Sequence, residues 1–413
     1  MKENSLEITK YIQIARKKHK EGNIYQANEI YKNLINQKIY TYDLLISYGL
    51  FCKEINNLKI AKNLFFLSIK KYPLKINSYI LLAEILRKEN NIEDALKTLY
   101  AAKKVDEYNA DIEYNLAITH KAIKAFNDAI RFIDSAINLQ PKNQIYKIFK
   151  ADILIESFQN ERAKKLLLNL KLPNDSLLFF QREILISKLF INQKKYILAE
   201  KVLLELRKNF NKERILYLNL SDLYFKNKEL EKGISILKEG INIFPNFIPL
   251  RFNLAIMYRN LGFLDLSIKT HIDILLKDQF NSNSYYELST MYDFSNHNDQ
   301  LKTLLSIEIG KLSPKEKIYF CYSKANIYHF KKDYKKSAYF LQIANDEKLK
   351  MQPSDVKRKL NTGEYYRNLK IDKTLKIDKK VDSNQYLFIV GMPRCGSTLL
   401  ESILSLNPEV KDL

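Results

Sequence analysis

The residues of this 413-residue chain whose types and spacing suit chemistry lie near its C-terminal end: Gly391, Met392, Pro393, Arg394, Cys395, Gly396, Ser397 and Thr398. Two glycines bound the stretch, and a residue without a side chain lets the backbone come close to a ligand. Backbone N–H groups entering a helix, two hydroxyls and one guanidinium together make a cradle for an anion. The guanidinium is a planar, permanently charged fork that fits phosphate or sulfate oxygens. Gly391 to Gly396 followed by Ser397 and Thr398 parallels the phosphate loop G-x-x-x-x-G-K-[ST], but Ser397 stands where that loop has Lys. That Lys contacts the β- and γ-phosphates, so the sequence argues against an NTPase or kinase at the key residue.

A cradle of this kind needs a strand before it and a helix after it. Residues 386–390, Tyr-Leu-Phe-Ile-Val, form a short apolar run rich in aromatic and β-branched residues, which predicts a buried strand. From Thr398 to Leu406 the apolar residues Leu399, Leu400, Ile403, Leu404 and Leu406 predict an amphipathic helix, followed by Asn407, Pro408, Glu409 and Val410. Strand, loop, helix and Asn-Pro-Glu-Val together resemble the 5′-phosphosulfate-binding loop of sulfotransferases. The closest resemblance is to the tyrosylprotein-sulfotransferase-like branch, which writes the loop PRSGTT and follows its helix with HPEV. The resemblance implies that Arg394, Cys395, Gly396, Ser397 and Thr398 hold the phosphosulfate end of 3′-phosphoadenylyl sulfate (PAPS). It implies a catalytic role for Arg394 in offsetting charge on the bridging oxygen as the sulfuryl group moves to a hydroxyl, protein tyrosine being one acceptor.

Two residues depart from the family pattern. Cys395 stands where Ser is usual, which removes a hydroxyl donor and keeps the size. It reads as an inert filler, or else as a thiol made reactive by an electropositive helix-start loop. Ser397 replaces Thr and keeps the hydroxyl. In the family the carboxylate that takes the acceptor's proton lies beyond this ending, so no general base is named. Glu409 belongs to the ending and Glu401 to the helix surface. The expectation is an incomplete domain, only its first strand and helix, and a chain that is catalytically inert by itself.

Residues 351–385 link this tail to the rest. Helical periodicity fades there, and Ile-Asp-Lys occurs twice, at 371 and 377. The tract reads as a solvated linker, or as a basic approach surface for an anionic nucleotide.

Upstream the sequence is periodic. Ala27, Ala61, Ala95, Ala129, Ala163, Ala199, Gly233, Ser267, Leu301 and Ser337 are separated by steps of 34 residues, with two steps of 36. Twelve residues before each anchor stands another small residue: Ala15, Gly49, Ala83, Ala117, Ala151, Ser187, Ser221, Ala255, Ser289 and Ala325. Pro73, Pro141 and Pro245 mark the ends of units. Small residues at both places predict two antiparallel helices per unit in close approach. In one unit Leu116, Ala117 and His120 share a face of the first helix, and Ala129, Phe132, Ile133 and Ala136 a face of the second. Period and pattern resemble the tetratricopeptide repeat, about ten units of it over 8–350. The two slips are expected in turns between units, and Asn296, His297 and Asn298 form an irregular turn in a weaker ninth unit.

The predicted fold is therefore an all-α superhelical solenoid of about ten helix pairs (8–350), a charged linker (351–385), and the first strand, loop and helix of an α/β P-loop-like sulfotransferase domain (386–413). By analogy of fold, the first helices line a concave groove that holds a protein or peptide. Asn115, Asn219 and Asn253 occupy the sixth position of their units, where an amide could pair with an extended backbone. The plain alternatives are a structural spacer or a dimerising arm, and a non-enzymatic interaction scaffold competes with the sulfotransferase.

Composition narrows the field. With 9 Gly and 9 Pro an all-β fold lacks turn formers. The net charge is +21, but 12 of the 68 Lys and Arg are Arg, and the Lys are dispersed, so no nucleic-acid partner is expected. Three distant cysteines, Cys52, Cys321 and Cys395, and 5 His without ligand spacing give neither a disulfide framework nor a metal site. The first residues lack an apolar signal region and no run spans a bilayer, so a cytoplasmic location without membrane contact is expected. Oligomeric state is not legible.

Overall fold

The units fold around pairs of small residues, except the ninth, where Leu301 stands at the second anchor. The computed structural model describes residues 2–291 and 298–351, all within one unit of the chain, Met1–Pro353. Helix α1 (Lys2–Lys20) pairs with α2 (Ile24–Asn36), α3 (Tyr42–Glu54) with α4 (Leu58–Lys71), and α5 (Ile76–Lys88) with α6 (Ile92–Val105). Next come α7 (Ala110–Ala122) with α8 (Phe126–Leu139), α9 (Gln144–Glu156) with α10 (Asn160–Leu168), and α11 (Leu177–Asn192) with α12 (Tyr196–Phe210). The last are α13 (Arg214–Lys226) with α14 (Leu230–Ile243), α15 (Ile248–Asn260) with α16 (Leu264–Lys277), α17 (Ser282–Met291) with α18 (Asn298–Ser306), and α19 (Pro314–Phe330) with α20 (Tyr334–Met351). The described residues thus form an all-helical, tetratricopeptide-like solenoid. The strand expected at 386–390 and the helix after it lie outside the described residues.

The paired small residues are where the helices touch. Ala15 and Ala27, Ala83 and Ala95, and Ala117 and Ala129 are fully buried. Gly49 lies so close to Phe65 that a methyl group in its place would overlap the ring. Apolar neighbours fill the rest, and one continuous core runs from Ile12 to Ile153 through five units.

The hairpin turn inside the unit repeats as faithfully as the anchors in the nine units where it is described. Gly22, Asn56, Asn90, Lys124, Phe158, Lys194, Lys228, Gly262 and Lys332 all have left-handed backbone, with φ between 57° and 82°. The N–H that follows each of them reaches back to a carbonyl of the first helix, as in Asn57 to Cys52 (2.7 Å) and Ala125 to His120 (2.9 Å). This closure satisfies carbonyls that a helix end leaves orphaned. Side-chain caps open several helices: Thr41, Asn57, Asn91, Asn109 and Ser176 accept from N–H groups of the first turn. Ser313 and Glu316 form a reciprocal capping box at α19.

Both slips fall between units. The connection 72–75 is typical, whereas 169–176 and 307–313 are longer, the last holding a 3-10 turn at Ile309–Lys311. Lys324, buried, reaches into the second slip and donates to the carbonyls of Ile307 (2.8 Å) and Leu305 (3.2 Å). Of the irregular turn expected in the ninth unit, Asn296 and His297 lie outside the described residues, and Asn298 lies in α18.

His271 sits at the joint between the eighth and ninth units. It is fully buried, its Nδ1 lies 3.3 Å from Ser284 Oγ, and its Nε2 is buried without a partner among the described residues. Burial first, and the Arg259 charge second, push its pKa down from 6.5 to about 4.

Two outcomes are expected from this packing. Gly49→Ala must displace the rigid Phe65 ring and should cost about 1–3 kcal/mol. Gly233→Ala meets only the flexible end of Met257 and should cost clearly less in the same thermal melts. For His271, the unfolded chain takes up a proton near pH 6.5 that the folded chain resists down to about 4. Stability present above pH 6.5 is therefore lost as pH falls towards 4, by on the order of 3 kcal/mol. Hydrogen exchange in α16 and α17 should accelerate across that window, and His271→Phe should flatten the dependence. An equally steep dependence in the variant would rule His271 out as its source.

Candidate functional site

First helices pack on the next unit's first helix, as α1 does on α3, α5 on α7, α9 on α11 and α13 on α15, while second helices such as α4, α6 and α8 pack on the first helix that follows. The first helices share a face, and its polar residues recur with the repeat. His19, Lys53, Arg87 and Lys121 stand one period apart. Lys53 Nζ lies 2.5 Å from Glu84, and Lys121 Nζ lies 2.5 Å from Asp152 and 2.7 Å from Glu156. His19 Nδ1 lies 3.4 Å from Glu54. Burial works against the Lys121 charge, but the hydrogen bonds it donates to its two carboxylates, with their charges, outweigh it and raise its pKa.

Arg87 differs from the other members of this column. Its guanidinium donates to Asn115 Oδ1 (3.0 Å) and to Thr119 Oγ1 (3.1 Å), both neutral groups. Burial lowers its pKa, with Glu84 opposing that shift. Beside it Tyr114 packs against Tyr146 (5.0 Å) and Phe149 (5.1 Å).

The three asparagines expected to line a groove take different surroundings. Asn115 is buried and engaged at both ends of its amide, since its Nδ2 donates to Asp111 O (2.8 Å) and its Oδ1 accepts from Arg87. Asn219, half-buried, donates back to Ile215 O (2.8 Å). Asn253, half-buried, donates to Ser221 Oγ one unit earlier (3.3 Å). Asn253 also lines a cleft between α13 and α15, walled by Ser221, Asp222, Phe225, Ile256 and Met257. The cleft is lined by both apolar and polar residues, which suits one side chain of a bound segment and the backbone beside it.

Arg394, Cys395, Gly396, Ser397 and Thr398 lie outside the described residues. The sequence reading did not single out Arg87, Thr119 or the paired Lys53 and Lys121. The basic residues at 19, 53, 87 and 121 were the signal available for them.

No family model matches the chain. Human protein O-mannosyl-transferase TMTC3 is 29% identical over 202 residues, which cover 47% of this chain and 21% of that protein. The chain thus spans about a fifth of that relative's length. A solved tetratricopeptide repeat protein from Parabacteroides merdae superposes with a TM-score of 0.47 at 15% identity, over 63% of this chain and 98% of that one. The APC/C hetero-tetramer Cut9–Hcn1 gives a TM-score of 0.42 at 13% identity, over 78% and 59%. Likeness at this level carries no argument about function. Among the described residues, no helix is long and apolar enough to cross a membrane.

Proposed function

We propose that the repeats are a protein-interaction scaffold that holds an extended segment of another protein along the first-helix face. The observation that carries this reading is the cleft between α13 and α15, where Asn253 and Ser221 border Phe225, Ile256 and Met257. Asn219 lies one repeat before Asn253 on the same face, so two amides are spaced along the path a peptide would follow. An amide both donates and accepts, which matches a peptide backbone without selecting its side chains.

The test is a randomised peptide library screened on the full chain. Bound peptides should lose at least about fivefold in affinity when Asn219 and Asn253 are both changed to Ala, with the melting temperature held. No retained peptide, or unchanged affinity in the double variant, would overturn the reading.

A second reading rests on the tail motif from Gly391 to Thr398 with its Asn-Pro-Glu-Val ending. In it, 386–413 opens a sulfotransferase domain, 351–385 is a linker, and the repeats present the acceptor. Arg394, Cys395, Gly396, Ser397 and Thr398 would hold the phosphosulfate of PAPS, with Arg394 countering charge on the bridging oxygen. In the product of the whole reading frame, adenosine 3′,5′-bisphosphate should bind, and Arg394→Ala should weaken it by about tenfold or more. Calorimetry that finds equal binding in both proteins would remove the loop from the donor site.

A further inference from the structure

The turns between units lie along one edge of the solenoid, because each second helix runs back antiparallel to its first. The first two of these turns, 37–41 and 72–75, concentrate positive charge. Within 36–43 and 70–77 stand Lys38, Lys70, Lys71 and Lys75, against a single acid, Asp43. All four lysines are exposed, and among the described residues none has a carboxylate within ion-pairing distance. Lysines elsewhere, such as Lys97 and Lys208, are answered by an acid of their own helix.

At the tip of the second turn Leu74 keeps 79% of its exposure, beside the exposed Pro73. The backbone that carries it is held. The Tyr79 hydroxyl donates to Pro73 O (3.0 Å), and the Tyr72 hydroxyl donates to Tyr40 O in the first turn (2.9 Å). Tyr72 also meets Tyr42 edge to face at 5.8 Å. Lys71 Nζ lies over the Tyr40 ring (5.0 Å) and Lys75 Nζ over the Tyr42 ring (5.5 Å). The rings thus keep two ammonium groups beside the tip.

A single exposed leucine is ordinary on a protein surface, and so is a single lysine. Together on a held turn they match a surface that is anionic at its face and apolar within, as an anionic lipid bilayer is. The leucine enters at the level of the headgroups while the ammonium groups meet phosphate. A nucleic-acid backbone would take the lysines but offers nothing to Leu74, and neither turn carries an arginine. The next turn supplies the contrast. Its tip, Tyr108, stands one period after Leu74 and is 76% exposed, but within 104–111 Lys104 is outnumbered by Asp106, Glu107 and Asp111.

We infer that this edge, Leu74 with Lys38, Lys70, Lys71 and Lys75, is a peripheral contact for an anionic lipid surface. Contact of this kind needs no spanning helix, and it departs from the expectation of no membrane contact, which rested on spanning segments. It uses a different part of the unit from the first-helix face and does not rest on the peptide reading.

The test is cosedimentation of the full chain with vesicles of phosphatidylcholine, alone or with about one-third phosphatidylglycerol. Partitioning should be about tenfold or more stronger on the anionic vesicles and should fall as salt is added. Lys70→Gln, Lys71→Gln and Lys75→Gln combined should remove most of that preference, with the melting temperature held. Lys194→Gln, Lys195→Gln and Lys228→Gln combined remove the same charge from exposed positions in hairpin turns and should leave the preference within about threefold. The chain has no Trp, so Leu74→Trp introduces a unique indole at the tip. Its emission should move to shorter wavelength on anionic vesicles and be quenched by brominated acyl chains, while Tyr108→Trp should not respond. Equal partitioning on the two kinds of vesicle, or none, overturns the inference. So does a preference that both lysine variants reduce alike, or a Leu74→Trp emission that stays unshifted on vesicles that carry the protein down. Duplex DNA bound through the same three lysines, with Leu74→Trp unshifted on lipid, would make the edge a nucleic-acid surface instead.

Discussion

A pair of helices of this length leaves an apolar stripe on each that the pair cannot cover, so every unit depends on its neighbour for burial. That dependence explains why the core is not divided by unit. The cluster from Ile12 to Ile153 crosses five units without interruption, and the next clusters continue through the array. The small residues are its geometric condition. With Ala, Gly or Ser at both crossing points the two backbones approach, and side chains such as Phe65 and Tyr217 pack where a methyl group would stand. Hydrophobic contact supplies most of the energy but little direction.

Direction comes from the polar layer on the first helices. Lys53, Glu84, Lys121 and Asp152 keep between 17% and 34% of their side-chain exposure, so each charge is partly removed from water. Such charges are tolerable when paired and costly when not. A unit that slid or rotated against its neighbour would keep much of its apolar contact but would strand these charges. The inter-unit pairs thus fix register. Lys324 does the same at the longer connection before the tenth unit, where its ammonium holds two carbonyls that the two-residue slip leaves free.

Much of this architecture was legible in the sequence because close approach demands small side chains at fixed intervals, a constraint written directly in residue type. The number of helix pairs, the burial of Ala117 with Ala129, and the location of both slips between units follow from it. The polar layer was not legible in the same way. Its partners sit 31 residues apart rather than 34, an offset set by how one helix is rotated against the next, which the period does not contain. Asn115 illustrates the consequence. Its place in the repeat matches Asn219 and Asn253, yet Arg87 from the preceding unit takes its oxygen. The tail was legible as a motif from Gly391 to Thr398 because phosphate cradles have a local signature, and its geometry lies outside the described residues.

The excess of 21 positive charges is not one property. Exposed lysines such as Lys97 and Lys208 already sit beside acids of their own helix and are screened by salt beyond about one Debye length. They govern solubility and the rate of encounter with acidic partners rather than the choice among them. Other cations are committed internally, as Lys103 is to the buried Glu113. Selectivity has to come from a charge that is oriented, partly desolvated and still uncompensated.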